Sequence, residues 1–335
     1  MEVTERRRIL LEDASQTGEA RRIASGVAMR LGCDEVETGR IALVVTEAAT
    51  NIVKHAGRGE ILLDADRSDH HRRIRMVAID RGPGMGDVAA HLRDGMSTTG
   101  TAGTGLGAIR RIATAFDVHT APKGTVVFAE IRDDARARDV VESGTVCVPL
   151  AGEEVSGDDC ALHLGDDARC TVLAVDGLGH GPAAASAALE ATRLFRTRPG
   201  LRPEALLQLL HDGLRATRGA AAAVAEVDWR RRIVRFAGVG NVAGSIQTAG
   251  RAQSMVSHHG TLGHTLHRVR EFTYPLPVGS LVILHSDGLS ARWDLRAYPG
   301  LQGRHAMVVA AVLYRDFARP TDDASIVVVR EAAAA

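Results

Sequence analysis

The sequence predicts an α/β protein (of the α+β type) with two domains and a short linker between them. The 335 residues are enough for two separate cores. Short apolar runs typical of strands recur along the chain and are interrupted by longer helical runs. Residues 134–144 are charged and poor in bulky apolar side chains, as linkers are. We therefore expect a first domain over residues 1–133, a linker over 134–144 and a second domain over 145–335.

Composition narrows the possible functions. Hydrophobic residues make up 45% of the chain and charged residues 24%, as in ordinary globular proteins. The formal net charge of +0 gives no indication of a nucleic acid or an anionic membrane as partner. No apolar run reaches membrane-spanning length, and the N-terminal residues do not resemble a signal peptide. The four cysteines show no paired spacing, which fits a reduced, cytoplasmic compartment.

A polar stripe marks the second predicted helix of the first domain. A short strand over 10–13 and a helix over 18–31 precede this helix, which starts near Asp34. Glu47, Asn51 and His55 are four residues apart and therefore share one helix face. Buried polar groups need partners, and a bound ion or nucleotide would supply one. An ordinary solvated helix face is the alternative.

Two glycine-containing segments follow. A predicted strand over 74–79 ends at Asp80, and Gly82 and Gly84 come directly after it. Asp80 can accept a hydrogen bond from an amino group, while glycines let a flat ring approach the backbone. Residues 97–107 form a small-residue loop that leads into a helix predicted over 108–116. Such a loop can hold phosphate at a helix N-terminus, although a glycine-rich loop alone is weak evidence.

Taken in order, these three motifs resemble the GHKL ATPases, and the compact size is similar to switch kinases of the RsbT/RsbW/SpoIIAB type. The resemblance implies a two-layer GHKL (Bergerat) sandwich that binds ATP. By it, Asn51 binds the Mg²⁺ of ATP, Glu47 is the base that activates a substrate serine, and Asp80 holds the adenine amino group. It also makes residues 96–102 a lid. The remaining ATP-binding residues that it implies are Gly82, Gly84, Gly103, Thr104, Gly105, Leu106 and Gly107.

Acidic residues recur at the strand ends of the second domain. They are Asp158 before one predicted strand, Asp176 at the end of the next, Asp287 after a third, and Asp322 with Asp323 before the last. Converging carboxylates repel one another, so together they imply cations. Separate aspartate turn caps are the alternative. Strands are predicted over 145–149, 160–164, 170–175, 221–227, 233–239, 242–248, 272–275, 281–285 and 325–329, and helices over 182–196, 203–217 and 304–317.

Four of the five following segments contain these carboxylates. The series 157–158, 176–181 (DGLGHG), 237–241 (AGVGN), 286–288 and 322–323 resembles the SpoIIE/RsbU/RsbX branch of the PPM-type phosphatases. The resemblance implies a four-layer αββα sandwich. By it, Asp176 bridges two Mn²⁺ or Mg²⁺ ions, the Gly177 carbonyl adds a ligand, and Asp158, Asp287 and Asp322 complete the metal site. The ions would generate the hydroxide that attacks a phosphoserine or phosphothreonine.

The histidines give no indication of a further metal site. His180 lies in the DGLGHG turn, and we expect it to stabilise that turn. His258, His259 and His264 lack the spacing of metal ligands, and no Cys/His pattern indicates zinc.

Both resemblances together predict a cytoplasmic regulator of a bacterial sigma factor or stress response. Kinase and phosphatase would set the phosphorylation of a STAS-domain anti-sigma antagonist or stressosome-type protein. A sigma factor, a downstream phosphatase and a second copy of the chain are further partners that the resemblance leaves open. The alternative is that the first domain only binds a partner in an ATP-dependent way, as an anti-sigma module without kinase activity. Glu47 favours the kinase, because binding alone needs no base.

Overall fold

The computed structural model of the chain describes residues 3–67, 72–88, 92, 105–133, 140–165, 168–266 and 268–332. The chain forms two compact units, Met1–Arg138 and Asp139–Ala335, which we call the first and second domains. The division falls inside the predicted linker. Residues 141–144, at the end of the predicted linker, belong to a strand.

The first domain has one antiparallel sheet with helices packed on it. The strand order is β1-β2-β3-β5-β4. Apolar side chains from the helices and from one sheet face form a single core. The strands are β1 (Val3–Leu11), β2 (Gly59–Arg67), β3 (Arg72–Asp80), β4 (Ala115–Ala121) and β5 (Gly124–Arg132), and the helices are α1 (Gln16–Arg30), α2 (Glu35–Ala56) and α3 (Gly105–Ile112).

Helix α2 is the central helix of this domain, and its start agrees with the prediction. The Asp34 carboxylate accepts the backbone N–H of Glu37, and the Glu37 side chain accepts that of Asp34. This capping box satisfies two N–H groups that the helix itself cannot pair. Buried apolar residues along one side of α2 then fix the helix on the sheet.

Two predicted elements of the first domain had wrong bounds, and three strands were missed. Of the strand expected at residues 10–13, only residues 10–11 are strand, and they form the end of the longer β1. The helix expected over 108–116 is α3, which ends at Ile112. It ends there because Thr114 donates to the Glu130 carbonyl through both its N–H (2.7 Å) and its hydroxyl (2.9 Å), which leads the chain into β4. Strands β2, β4 and β5 were not predicted.

The second domain has four layers. Two antiparallel sheets, of order β13-β10-β9-β8-β7 and β12-β11-β14-β15-β6, pack face to face over one core. Helices α4 and α5 share a second core with the outer face of the first sheet, and α6 packs on β6 and β15 of the other. This architecture, with the two-layer first domain, confirms the predicted fold class.

The elements of the second domain follow the predicted order, with one strand added. Strand β12 was not predicted, and α5 ends four residues before the predicted Thr217. The strands are β6 (Val141–Val148), β7 (Asp158–Gly165), β8 (Arg169–Gly177), β9 (Ala220–Asp228), β10 (Ile233–Val239), β11 (Ala243–Thr248), β12 (Arg251–Met255), β13 (Phe272–Pro275), β14 (Leu281–His285) and β15 (Ala324–Glu331). The helices are α4 (Pro182–Thr197), α5 (Pro203–Gly213) and α6 (Ala306–Phe317).

Candidate functional site

The polar stripe of α2 is half-buried at two of its three positions. Glu47 and Asn51 lie one turn apart and are both partly shielded from solvent, whereas His55 is exposed. No residue in the described part of the chain makes a hydrogen bond or ion pair with the Glu47 carboxylate or the Asn51 amide. Half-buried polar groups of this kind are available to an external ligand.

Asp80 is held rigidly at the end of β3. Its Oδ1 accepts the backbone N–H of Gly82 (2.8 Å) and that of Thr125 (3.1 Å). Gly124 packs directly on Asp80, since a Cβ there would lie 2.0 Å from the Asp80 carbonyl oxygen. Among the described residues none donates to Oδ2, so this oxygen can accept an amino group from a ligand. No sequence signal singled out Thr125.

The turn after Asp80 requires both of its glycines. A Cβ at Gly82 would lie 2.7 Å from the Cβ of Ala56 on α2. Gly84 has φ +78°, and a Cβ there would lie 2.3 Å from the Ala121 carbonyl oxygen. The turn is therefore pressed between the end of α2 and the end of β4.

The predicted phosphate loop is described only at its end. Gly103, Thr104 and the predicted lid, residues 96–102, lie outside the described residues. Gly105, Leu106 and Gly107 form the first turn of α3. A Cβ at Gly105 would lie 3.5 Å from both terminal atoms of the Asn51 amide, so the N-terminus of α3 adjoins Asn51. A helix N-terminus favours anions, and an amide oxygen can ligate Mg²⁺.

In the second domain, Asp158 and Asp176 pair across two neighbouring strands of one sheet. Asp158 is the first residue of β7 and Asp176 the penultimate residue of β8, and they lie directly opposite each other in the antiparallel ladder. Beyond them, the Gly177 N–H donates to the Gly157 carbonyl at 3.0 Å. A Cβ at Gly177 would lie 2.3 Å from the Ala184 carbonyl oxygen of α4, so only glycine fits there.

The other three carboxylates reach the same edge from the second sheet. Asp287 follows β14, and its Oδ2 accepts the Asn241 side-chain amide at 2.7 Å. Asp322 and Asp323 directly precede β15, and Asp323 Oδ1 accepts the Leu150 N–H at 2.8 Å. We call Asp158, Asp176, Asp287, Asp322 and Asp323 the carboxylate cluster.

The members of this cluster influence one another's ionisation. Burial raises the pKa of Asp158 to about 7, and the charges of Asp323 and Asp322 raise it as well. Burial, followed by the charges of Asp158, Asp287 and Asp322, raises the pKa of Asp176 to about 8. The pKa of Asp322 is also raised, first by burial and then by Asp287. Like charges that disfavour each other's ionisation are typical of functional carboxylates.

The donor set fits divalent cations. Asp158 Oδ2 and Asp323 Oδ2 are buried and accept no hydrogen bond from any described residue. Oxygen-rich sites suit Mg²⁺ and Mn²⁺ rather than zinc. Across the described ranges, no three His, Cys, Asp or Glu side chains lie in an arrangement that could hold a metal ion as they stand. The ligand set Asp158, Asp176, Gly177, Asp287 and Asp322 therefore stays a prediction.

The histidines of this domain take separate positions. His180 Nδ1 lies 2.7 Å from the Glu153 carboxylate, a partner that sequence reasoning missed. His264 Nε2 contacts the Arg218 carbonyl at 2.9 Å, and His258 stacks on Phe272.

Among the described residues, no helix is long and apolar enough to span a membrane.

Comparison with known proteins decides the family. The model for histidine kinase-like ATPase domains (HATPase_c_2) matches residues 10–131, and the model for stage II sporulation protein E (SpoIIE) matches residues 166–331. Serine/threonine-protein kinase RsbT of Bacillus subtilis (strain 168) is 33% identical over 111 residues, which are 33% of this chain and 84% of RsbT. The chain belongs to the Rsb/SpoIIE family.

Further relatives are similar to parts of this Rsb/SpoIIE protein. Phosphoserine phosphatase RsbX of the same Bacillus strain is 24% identical over 148 residues, 44% of this chain and 73% of RsbX. A structure titled "The bacterial stressosome: a modular system that has been adapted to control secondary messenger signaling" is 29% identical, with a TM-score of 0.53 over 57% of this chain and 100% of its own. Magnesium-bound RsbX, 18% identical, shares the fold with a TM-score of 0.52 over 65% of this chain and 100% of its own.

Family membership therefore establishes a different class for each domain. The second domain has the fold and family of PPM-type serine/threonine phosphatases. The first is a kinase-like ATPase domain homologous to RsbT. Family membership implies the use of a nucleotide and of divalent metal.

Proposed function

We propose that the chain is a bifunctional regulator of bacterial partner switching in the cytoplasm. Its second domain is an Mn²⁺- or Mg²⁺-dependent phosphoserine/phosphothreonine phosphatase. Its first domain is an ATP- and Mg²⁺-dependent serine kinase. The substrates are STAS-domain anti-sigma antagonists or stressosome-type proteins, which the names of the RsbT, RsbX and stressosome relatives support.

The carboxylate cluster of the second domain carries the proposal. Five carboxylates gather at one edge of two packed sheets, and burial and mutual repulsion raise the pKa of at least two of them to about 7 and about 8. The repulsion among these carboxylates lowers the free energy of unfolding unless bound cations offset it. Divalent ions held there supply Lewis acidity and an activated water for phosphate ester hydrolysis.

Asn241 beside the cluster and Asp323 within it have positioning roles. Asn241 donates to Asp287 and fixes the direction of that carboxylate. Asp323 accepts the Leu150 N–H and so fastens the segment that leads to Gly157 and Asp158. Partners of this kind orient metal-binding carboxylates and tune their affinity.

For the first domain, the half-buried pair on α2 supports kinase chemistry. Asp80 Oδ2 accepts the adenine amino group, and Asn51, beside Gly105, holds the ATP-bound Mg²⁺. Glu47 takes the proton from the substrate serine hydroxyl as the phosphoryl group is transferred. Binding alone would need Asn51 and Asp80 but no unpartnered carboxylate one turn away. That is why we favour the kinase over the ATP-dependent anti-sigma module.

Phosphorylation of a STAS-domain protein tests both activities in one assay. Asp176→Asn isolates the kinase and Glu47→Ala isolates the phosphatase. With ATP and Mg²⁺, we expect Asp176→Asn to accumulate phosphorylated STAS protein, and we expect Glu47→Ala to dephosphorylate it. An ATP-dependent complex without phosphate transfer by Asp176→Asn would support the anti-sigma module. No change in phosphorylation with any variant would contradict the proposal.

A further inference from the structure

An open groove on the second domain has no role in the proposal so far. Its volume is about 630 Å³, and it lies between α4 and the chain at the end of α5. Apolar side chains form part of its wall, among them Val155 and Leu189, which are 41% and 62% exposed. A concave surface of this size with exposed apolar groups is typical of a binding site.

The groove adjoins the carboxylate cluster through α4. Pro182 and Ala185, near the start of this helix, line the groove. Ala184, between them, touches the segment that leads into the cluster, because a Cβ at Gly157 would lie 2.8 Å from the Ala184 Cβ and 2.8 Å from Asp323 Oδ2. The groove therefore begins beside the cluster, and one extended ligand can contact both.

Arg218 stands between the groove and the cluster. It directly follows Thr217, which lines the groove. Its guanidinium lies on the turn between β8 and α4, since a Cβ at Gly179 would be 3.2 Å from Arg218 Nη1. The backbone at this position is fixed to the same turn, because the Gly219 carbonyl accepts the Leu178 N–H at 3.0 Å.

Arg218 is also a cation that is available to a ligand. It is exposed, and no carboxylate in the described part of the chain forms an ion pair with it. The other charged side chains at this surface pair with one another. On α4, Glu190 accepts from Arg193 at 2.7 Å, and Glu153 lies 2.7 Å from His180. A guanidinium matches a carboxylate both in charge and in the geometry of its donors.

Chain geometry limits how far these contacts lie from the reacting group. Gly179 comes three residues after Asp176, so their Cα atoms are at most about 11 Å apart. An extended substrate covers this distance in roughly three residues. From Gly179 the chain continues directly to Pro182 at the groove. An acidic residue about three positions from a phosphoserine, with an apolar residue beyond it, therefore fits this surface.

We infer that Arg218 and the groove form a docking site for the protein segment that flanks the phosphoserine. This inference rests on the proposed phosphatase activity. Arg218 binds an acidic side chain of the segment, and the groove takes an apolar side chain next to it. Neither contact involves the reacting phosphate, so the docking site increases affinity for the protein substrate and leaves the chemical step unchanged.

Peptide kinetics with the full chain test the docking site. The probes are phosphoserine peptides with glutamate about three residues from the phosphoserine and leucine beyond it, on either side, and a glutamine counterpart of each. We expect Arg218→Gln to raise KM for the better glutamate peptide about tenfold at unchanged kcat, because a hydrogen bond between charged groups is lost. KM for its glutamine counterpart and for p-nitrophenyl phosphate, which has no flanking segment, should stay near the original value.

Two further variants separate recognition from a structural role. Arg218→Glu should prefer a peptide with lysine in place of the glutamate, because the charges of the pair are then exchanged. Leu189→Gln should raise KM for the leucine peptide, but not for the same peptide with serine in place of the leucine. Arg251→Gln on the edge strand β12 and Val278→Gln at an exposed loop position are the controls and should change none of these constants.

The outcomes keep this inference apart from the proposed function. A chain that hydrolyses none of these phosphate esters contradicts the phosphatase itself. An active chain in which Arg218→Gln or Leu189→Gln leaves every KM unchanged overturns the docking site. Equal changes on the peptides and on p-nitrophenyl phosphate also overturn it, because they indicate that Arg218 acts on the phosphate or on the turn itself.

Discussion

Asp158 and Asp176 face each other across strands β7 and β8, and burial together with neighbouring carboxylates raises the pKa of both. Two adjacent strands thus present a directly opposed carboxylate pair at the sheet edge. Like charges directly opposite in a sheet are destabilising. In the proposed metal site, bound cations would turn this repulsion into attraction.

The metal-free protein should lose stability as pH rises. An aspartate whose pKa is raised in the folded state, as for Asp176 at about 8, binds protons more tightly there than when unfolded. Folding is therefore penalised increasingly between about pH 4 and pH 8, and the penalty is complete above that range. In EDTA at pH 8.5, Asp176→Asn should raise the melting temperature. The rise should be ~2–4 °C for each kcal/mol by which the substitution increases the free energy of unfolding. An unchanged or lower value, measured by differential scanning calorimetry, would contradict close contact among the carboxylates.

Asn241 should act through Asp287. Asn241→Ala removes the donor 2.7 Å from Asp287 Oδ2, and loss of such a partner typically costs about 10–100-fold in metal affinity. We therefore expect the Mg²⁺ concentration for half-maximal phosphatase activity to rise, with kcat at saturating Mg²⁺ largely kept. Gln253→Ala on the edge strand β12 is a surface control. A loss of kcat without any change in Mg²⁺ dependence would argue against this role.

Asp80 should determine nucleotide binding. In Asp80→Asn, Oδ1 still accepts the Gly82 and Thr125 N–H groups, so the turn should keep its shape. The other atom becomes a donor and opposes the adenine amino group. A hydrogen bond to a charged group is worth roughly 1.5–3 kcal/mol, so ATP affinity should fall about tenfold or more in calorimetric titration. The exposed Asp13→Asn is the control, and equal affinity in Asp80→Asn would exclude the assignment.

Glu47 should separate phosphoryl transfer from binding. Glu47→Ala is expected to keep ATP affinity and to lose about 10²–10⁴-fold in transfer to a STAS-domain protein. Glu35→Ala, at an exposed position in the first turn of the same helix, is the control. Transfer at the original rate in Glu47→Ala would favour the anti-sigma module over the kinase.

Local patterns predicted much of this fold. The predicted start of α2 near Asp34 agrees with the structure, and the apolar runs at 233–239 and 281–285 matched β10 and β14 in full. Strand β12 could not be found this way, because its sequence RAQSM lies at a sheet edge and has only one buried residue. Strand β2 does alternate between buried and partly exposed residues, so the signal for it was present.

The sequence predicted the residue types of the candidate site and their order along the chain, but not their arrangement in space. The sequence indicated that Asp158 and Asp176 lie at strand ends, but not that they lie opposite each other. Contacts between distant segments left no sequence signal. Leu150 and Asp323 are 173 residues apart, and Thr125 meets Asp80 across 45 residues. Such partners depend on how strands pair in the folded chain, which no local pattern specifies.

The central claim is that the carboxylate cluster is a divalent-metal phosphatase centre, and metal-dependent phosphate release tests it most directly. The assay measures release from a phosphoserine peptide in EDTA and after addition of Mg²⁺ or Mn²⁺. Asp159→Asn is the matched control, because Asp159 follows Asp158 on β7 and so points to the opposite sheet face.

We expect no phosphate release in EDTA and recovery of release with either ion. In Asp176→Asn, the rate of release should fall by more than about 100-fold, which exceeds the usual effect of removing a residue that only hydrogen-bonds to a metal ligand. The control should stay near the original rate. Release that persists in EDTA and in Asp176→Asn would contradict the account.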